Sequence, residues 1–364
     1  MTTPAQSALS FHAGDVPFTL TGPPDWLTAH QRHLHECIPA STPTTTLPRV
    51  ELEVHLSQQF FDTITQVVND NPSRPLEPVP GVILHEATPE PGQRWYSIMA
   101  DSVDHRPGAY TVRVTDRRID LVIPPGQPEH RYPIRLVREA MIRTHEDAGG
   151  TLFHAAGVDL AGTGVMITGP RGAGKTTMTA ALLSQNRASL LSNDRLIATP
   201  DGLLVAVPLP VPTGRGTIEA FAPLTAAVHG KAATLPPEFG SRLKHVFTAR
   251  QFATALGATL TARTRPSLIV VPNLTDTTDP VTTRTLNTAQ ARTILTQNCF
   301  TPHDEFWRPW LLPRYTSTAD LTAQATSTIN RLTADLPCVQ VSFGIRNPTN
   351  DLTTALADLT GVVR

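Results

Sequence analysis

Residues 169–176 read Gly169-Pro170-Arg171-Gly172-Ala173-Gly174-Lys175-Thr176, a complete match to the pattern G-x-x-x-x-G-K-[ST]. No other feature constrains the fold as strongly, because the pattern functions only where a strand enters the loop and a helix leaves it. The apolar run Val165-Met166-Ile167-Thr168 supplies the strand, and a helix is expected from Lys175 to about Ser184. Glycines 169, 172 and 174 let the backbone turn tightly, so that successive N–H groups and the positive end of the helix face one anion. Lys175 is then placed to reach the terminal phosphates of a nucleotide, and the Thr176 hydroxyl to ligate Mg²⁺. The expected nucleotide-binding stretch is Gly169, Pro170, Arg171, Gly172, Ala173, Gly174, Lys175, Thr176 and Thr177.

Lysine usage supports this. The chain has 30 Lys+Arg, but only Lys175, Lys231 and Lys244 are lysines, so arginine is used almost wherever a cation is wanted. A planar guanidinium cannot replace a compact ammonium inside a tight phosphate cradle, which accounts for Lys175. The other two lysines have no such explanation from sequence.

At 364 residues the chain is expected to hold two domains, since single cores stop growing near about 250 to 300 residues. A net charge of -1 gives no global footprint for nucleic acid or an anionic membrane. The opening residues Met1 to Gln6 lack a basic and then apolar leader, and no apolar run approaches the ~20 residues that span a bilayer. A cytoplasmic protein with neither membrane nor nucleic-acid partner is expected. Cys37, Cys299 and Cys338 are odd in number and far apart, against a disulfide framework or a structural zinc site. His30, His33 and Cys37 fall at helical spacing, which a solvated helix face explains more simply than a metal.

The first 128 residues read as a smaller α+β domain. Strands are expected at Thr19–Thr21 and Val50–His55, a helix at 25–37, and a hairpin whose arms 110–114 and 119–123 flank Asp116-Arg117-Arg118. Pro124-Pro125-Gly126 marks the expected boundary, leaving 129–364 as an α/β domain. There, helical spacing covers 132–146, and short strands are expected at 152–154, 157–160, 190–192, 203–207, 268–271 and 339–343, with a helix at 320–334. Gly214-Arg215-Gly216 reads as a plain loop, with a mobile flap near the nucleotide as the other use. Phe306-Trp307-Arg308-Pro309-Trp310 reads as core packing, with an acceptor pocket or subunit contact as the other use.

A phosphate loop identifies the cofactor class, and the partner acids decide what the terminal phosphate is used for. The most apolar later strand, Leu268 to Val271, runs into Pro272-Asn273 and offers no acid at its end, against motor and transporter ATPases. No guanine-specifying N-K-x-D element is present. The acid expected at a strand end is Asp194, in Leu190-Leu191-Ser192-Asn193-Asp194.

Three segments together resemble HPr kinase and HPr-kinase-like proteins: Leu152-Phe153-His154-Ala155-Ala156, the loop beginning fifteen residues after that histidine, and Leu190 to Asp194. Leu336 to Phe343 is similar to the closing strand of such proteins, so the resemblance covers about residues 130–345. It implies a P-loop kinase module that moves the γ-phosphate of ATP, with Mg²⁺, to a hydroxyl. The leading acceptor is a Ser/Thr of a protein or peptide, including precursors of modified ribosomal peptides; the nearest rival is a small-molecule alcohol. His154 takes the place of the family's active-site histidine, and Asp194 that of the second Asp of an acidic pair. Thr176 and Asp194 would hold the metal. Asn193 stands where the first Asp would be, and an amide cannot take the acceptor's proton as a carboxylate can. Asp194 then covers both base and metal roles, or His154 assists, or the chain is a degenerate kinase acting as a nucleotide-binding regulator. The family tends towards homo-oligomers, and no feature of this sequence fixes a stoichiometry. The 1–128 domain would recognise the acceptor.

Overall fold

The computed structural model describes residues 6–40, 46–79, 82–98, 109–126, 132–185, 187–304, 308–346 and 349–360. The chain is mixed α/β and divides into two compact units. Within the described residues, one lies in Met1–His35, Thr42–Ala148 and His303–Tyr315, the other in Glu36–Ser41, Gly149–Pro302 and Thr316–Arg364.

The first unit is built on β1 (Ser7–Ala13), β2 (Val16–Gly22), β3 (Val50–Leu56), β4 (Ser73–Val79), β5 (Val82–Ala87), β6 (Gln93–Ile98), β7 (Thr111–Thr115) and β8 (Arg118–Ile123). Its helices are α1 (Pro24–Cys37), α2 (Gln58–Asp70) and α3 (Tyr132–Asp147). The strands form one sheet in the order β1-β2-β3-β8-β7-β6-β5-β4, parallel only at β2/β3 and β3/β8. Alternation in Val50, Leu52 and Val54 sends one face of β3 into the core, as a half-buried strand requires. α2 starts at Ser57, whose hydroxyl accepts from the Phe60 N–H, and buries Ile64 and Val68 one helical turn apart.

α3 packs against β1, β2 and β3. The division therefore falls between Ala148 and Gly149 rather than after residue 128. The distant segment His303–Tyr315 also joins this unit: Arg143 bonds Asp304 at 2.7 Å and lies 4.7 Å over the Trp310 ring, and Tyr96 donates to the Leu311 carbonyl. Trp310 is thus core packing, while Phe306 and Trp307 lie outside the described residues. His30 and Cys37 are buried, not on a solvated helix face; His30 stacks on Trp26 and its Nδ1 meets the Trp26 carbonyl at 2.8 Å.

The second unit contains β9 (Thr151–Phe153), β10 (Ala155–Leu160), β11 (Thr163–Thr168), β12 (Ala188–Ser192), β13 (Leu196–Ala198), β14 (Leu204–Ala206), β15 (Val211–Thr213), β16 (His245–Phe247), β17 (Thr259–Leu260), β18 (Arg263–Thr264), β19 (Pro266–Thr275), β20 (Thr282–Thr285) and β21 (Cys338–Gly344). Its helices are α4 (Lys175–Leu183), α5 (Arg215–Ala220), α6 (Ala222–Ala227), α7 (Ala249–Ala255), α8 (Thr288–Gln297), α9 (Thr318–Asp335) and α10 (Thr349–Thr360). The main sheet runs β17-β12-β10-β11-β19-β21-β20, with β11, β19 and β21 mutually parallel. A smaller antiparallel sheet, β18-β14-β13-β9, and the β15/β16 pair complete it.

Both faces of the main sheet are covered. Val165 and Ile167 of β11, with Leu268 and Val270 of β19, pack towards α4; Met166, Ile269 and Val271 pack towards Leu295 of α8 and Ile329 and Leu332 of α9. Burial on both faces is why these strands read as continuous apolar runs rather than alternating ones. β19 continues through Pro272-Asn273 to Thr275. Its pairing with β11 ends at Val270, so the proline costs no bond on that side. An acid, Asp276, does follow this strand, contrary to the expectation from sequence, and it is tied to Arg346 at 2.7 Å. Gly214-Arg215-Gly216 is not a plain loop either: Gly214 is the N-cap of α5, where Arg215 bonds Glu219 at 2.7 Å.

Candidate functional site

β11, the loop Gly169–Gly174 and α4 follow one another in the order the sequence requires. Gly172 and Gly174 have φ of +85° and +101°, backbone that side chains rarely adopt. A Cβ on Gly174 would stand 2.7 Å from the Leu274 Cβ, so only glycine fits the last corner before the helix. The Leu274 N–H donates to the Ala173 carbonyl at 3.0 Å, fastening the loop to β19. α4 is buried along nearly its whole length, which fixes the direction of its N-terminus. The first N–H groups of such a helix have no intrahelical acceptor and face outward as donors.

Lys175 is 7% exposed, and its ammonium folds back to donate to the Gly169 carbonyl at 2.8 Å and the Pro170 carbonyl at 3.2 Å. The lysine thus bridges the two ends of its own loop. Burial, the largest influence, pushes its pKa down to about 8; Asp194 opposes that shift, and Arg195 and Lys244 add to it. An ammonium held this way gains from an anion placed beside it. Thr176 is half-buried and Thr177 buried; the Thr177 hydroxyl meets that of Thr217 in α5 at 2.8 Å. Pro170 and Arg171 are exposed.

His154 sits where β9 passes into β10. Its N–H donates to the Asn298 carbonyl at 2.7 Å and its carbonyl accepts from Thr168 at the end of β11 at 3.2 Å, so the backbone fixes it beside the loop strand. Its Nε2 lies 3.1 Å from Asp194 Oδ1. The other carboxylate oxygen of Asp194 accepts from Arg195 Nη1. Arg195 is 1% exposed, with its guanidinium 4.6 Å over the Phe300 ring, which also lies 5.7 Å from the His154 ring. The structure therefore brings His154, Lys175 and Asp194 into one electrostatic cluster, as the sequence placed them.

Burial acts to raise the Asp194 pKa, but the hydrogen bond from His154 and the charges of Arg195, His154 and Lys175 hold it well below the usual carboxylate range. Asp194 is therefore a permanent anion and a weak proton acceptor. Burial is also the main influence on His154 and lowers its pKa, with Lys175 and Arg195 acting the same way and Asp194 opposing them. A neutral imidazole whose Nε2–H is given to a carboxylate keeps a lone pair on Nδ1, the arrangement of a general base.

Asn193 is 4% exposed and its Oδ1 has no hydrogen-bond partner among the described residues. Carboxylate, hydroxyl and amide oxygens are hard donors of the kind Mg²⁺ takes, and Thr176, Asp194 and Asn193 carry such oxygens, with Arg195 sharing the Asp194 carboxylate. Among the described residues Glu53, His55 and Asp120 of the first unit also have metal-ligand composition, but they are already balanced: Arg113 bonds Asp120 at 2.7 Å and Arg118 bonds Glu53 at 2.6 Å.

Two residues of this cluster are not singled out by the sequence. Arg195 had a signal, since a cation between the apolar strands 188–192 and 196–198 must be buried and paired. Lys244 had one too, as a rare lysine.

Among the described residues no helix is long and apolar enough to cross a membrane. Compared with known proteins, the chain matches no family model and no curated protein.

Proposed function

We propose that the second unit is an ATP-dependent phosphotransferase that moves the γ-phosphate to a hydroxyl, with a Ser/Thr of a protein or peptide as the leading acceptor. The observation that supports this most is the convergence of the buried Lys175, on a glycine-bounded loop at a helix N-terminus, with the His154–Asp194 pair. Loop amides and Lys175 hold the phosphate tail. Thr176 and Asp194, with Asn193 beside them, would hold Mg²⁺, which neutralises phosphate charge when bound. His154 takes the acceptor's proton at Nδ1 as the new O–P bond forms and the bond from the γ-phosphorus to the bridging oxygen breaks, leaving ADP. Few groups suffice, because the transition state is loose and depends mainly on positioning and charge.

A second reading rests on a specific observation: both Asp194 oxygens are already engaged, and Asn193 supplies no carboxylate. In that reading the unit binds nucleotide without transferring phosphate. Incubation with γ-labelled ATP and peptide or small alcohol acceptors separates the two. Label moving to an acceptor supports the phosphotransferase. Affinity that depends on Lys175 without transfer, with turnover appearing in Asn193→Asp, supports the binding protein. Steady release of free phosphate without acceptor contradicts both.

A further inference from the structure

Lysine is rare in this chain, yet two of its three lysines meet at one place. Lys244 directly precedes β16, where His245 pairs with Thr213 of β15. Gly214, next to that pair, opens α5, and α5 is tied to the loop helix by the contact of Thr217 with Thr177 at 2.8 Å. The β15/β16 pair thus brings residue 244 to the side of the unit where α5 meets the loop helix. There Lys244 interacts electrostatically with Arg171 and Asp194, and its charge reaches Lys175. Lys244 is exposed and forms no ion pair among the described residues.

The charges do not balance. Lys175, Arg195 and Lys244 all act on the Asp194 carboxylate, whose oxygens are taken by His154 and Arg195, and Arg171 adds a further positive charge beside Lys244. Arg171 and Lys244 repel one another, and neither forms an ion pair among the described residues. Like charges held together on an exposed rim are stabilised only when an anion arrives, and a triphosphate tail brings several negative charges to this point.

Resting on the nucleotide-binding reading above, we propose that Lys244 is a second phosphate-holding lysine, which pairs with the terminal phosphate of a nucleoside triphosphate and lets the loop distinguish triphosphate from diphosphate. Loop amides grip the inner phosphates in either nucleotide and Lys175 reaches from these to the terminal one, whereas the outermost charge, which Lys244 would meet, is present only in the triphosphate.

The test is calorimetric binding of Mg·ATP and Mg·ADP to the full chain, comparing wild type with Lys244→Ala and Lys244→Arg. Because the residue is exposed, both variants are expected to fold, which circular dichroism checks. Lys244→Ala should weaken Mg·ATP by about 10-fold and Mg·ADP by less than about 3-fold, as for a lost charge-assisted bond. Lys244→Arg should recover most of the discrimination. Equal loss for both nucleotides, or no loss, overturns the role of Lys244 alone. A folded wild type that binds neither nucleotide overturns the nucleotide-binding reading, and this inference with it.

Discussion

Lys175→Met should weaken Mg·ATP binding by about 100-fold and reduce any transfer by a further 10²- to 10³-fold, the scale seen when one preorganised charge-stabilising donor is removed. Methionine keeps the length and apolar stem while removing the ammonium, so the buried loop can stay packed. The same variant carries a stability signature that needs no acceptor. In the folded protein Lys175 loses its proton near pH 8, against 10.5 for an ordinary lysine. Between those values the unfolded chain binds more protons than the folded one, so this group makes stability rise with pH across that window. Wild type should therefore gain thermal stability relative to Lys175→Met on going from about pH 7.5 to 9.5. A constant difference between the two melting curves would show that Lys175 is not a desolvated cation.

Asp194→Asn should have the largest effect on the protein itself. It takes the Asp194 carboxylate away from Arg195, which is 1% exposed, but the Asp194 side chain is itself 35% exposed, so the change costs about 1 to 3 kcal/mol. Thermal unfolding should shift accordingly. The accompanying neutral variant Arg195→Met should lose less than Asp194→Asn, because it removes the buried charge rather than stranding it. Any transfer should fall by about 10²- to 10³-fold in Asp194→Asn, since in the proposed mechanism the residue both orients His154 and helps hold the metal. The pH profile adds a readout that packing damage would not produce. Asp194 raises the pKa of His154, so removing its charge should move the acid limb of any residual activity to lower pH. In wild type Asp194 stays ionised well into the acid range, and its contribution to stability is lost only as pH falls through its depressed pKa.

The loop and its flanking elements were legible because spacing dictates them: a glycine at each corner, a lysine at the helix start and an apolar strand before. That His154 and Asp194 belong to one site was implied by the resemblance of three short segments, although 40 residues separate the two. What the sequence concealed depends on tertiary contact. Nothing local announces that α3 belongs with β1 to β3, or that His303–Tyr315 returns to the first unit, because both depend on contacts between residues far apart in the chain, such as His145 with the Gly14 carbonyl and Arg143 with Asp304. Proline at 272 suggested a strand end, yet the strand continues, because its neighbour β11 had already stopped pairing. α2 carried its own signal in Ser57, Phe60, Ile64 and Val68. The chemistry of Asp194 was the least legible: only the structure reveals that Arg195 occupies its second oxygen, which is why His154 rather than Asp194 is the proposed proton acceptor.

The central claim is that the loop around Lys175 grips a nucleoside triphosphate. Titration of ATP into the folded protein, with and without Mg²⁺, in buffers of different ionisation enthalpy near about pH 9, tests it most directly. The account predicts saturable, magnesium-dependent binding with net proton uptake, because the phosphates restore the charge that Lys175 has partly lost at that pH. A protein that is folded by circular dichroism and melts cooperatively, yet takes up no purine triphosphate, would contradict it.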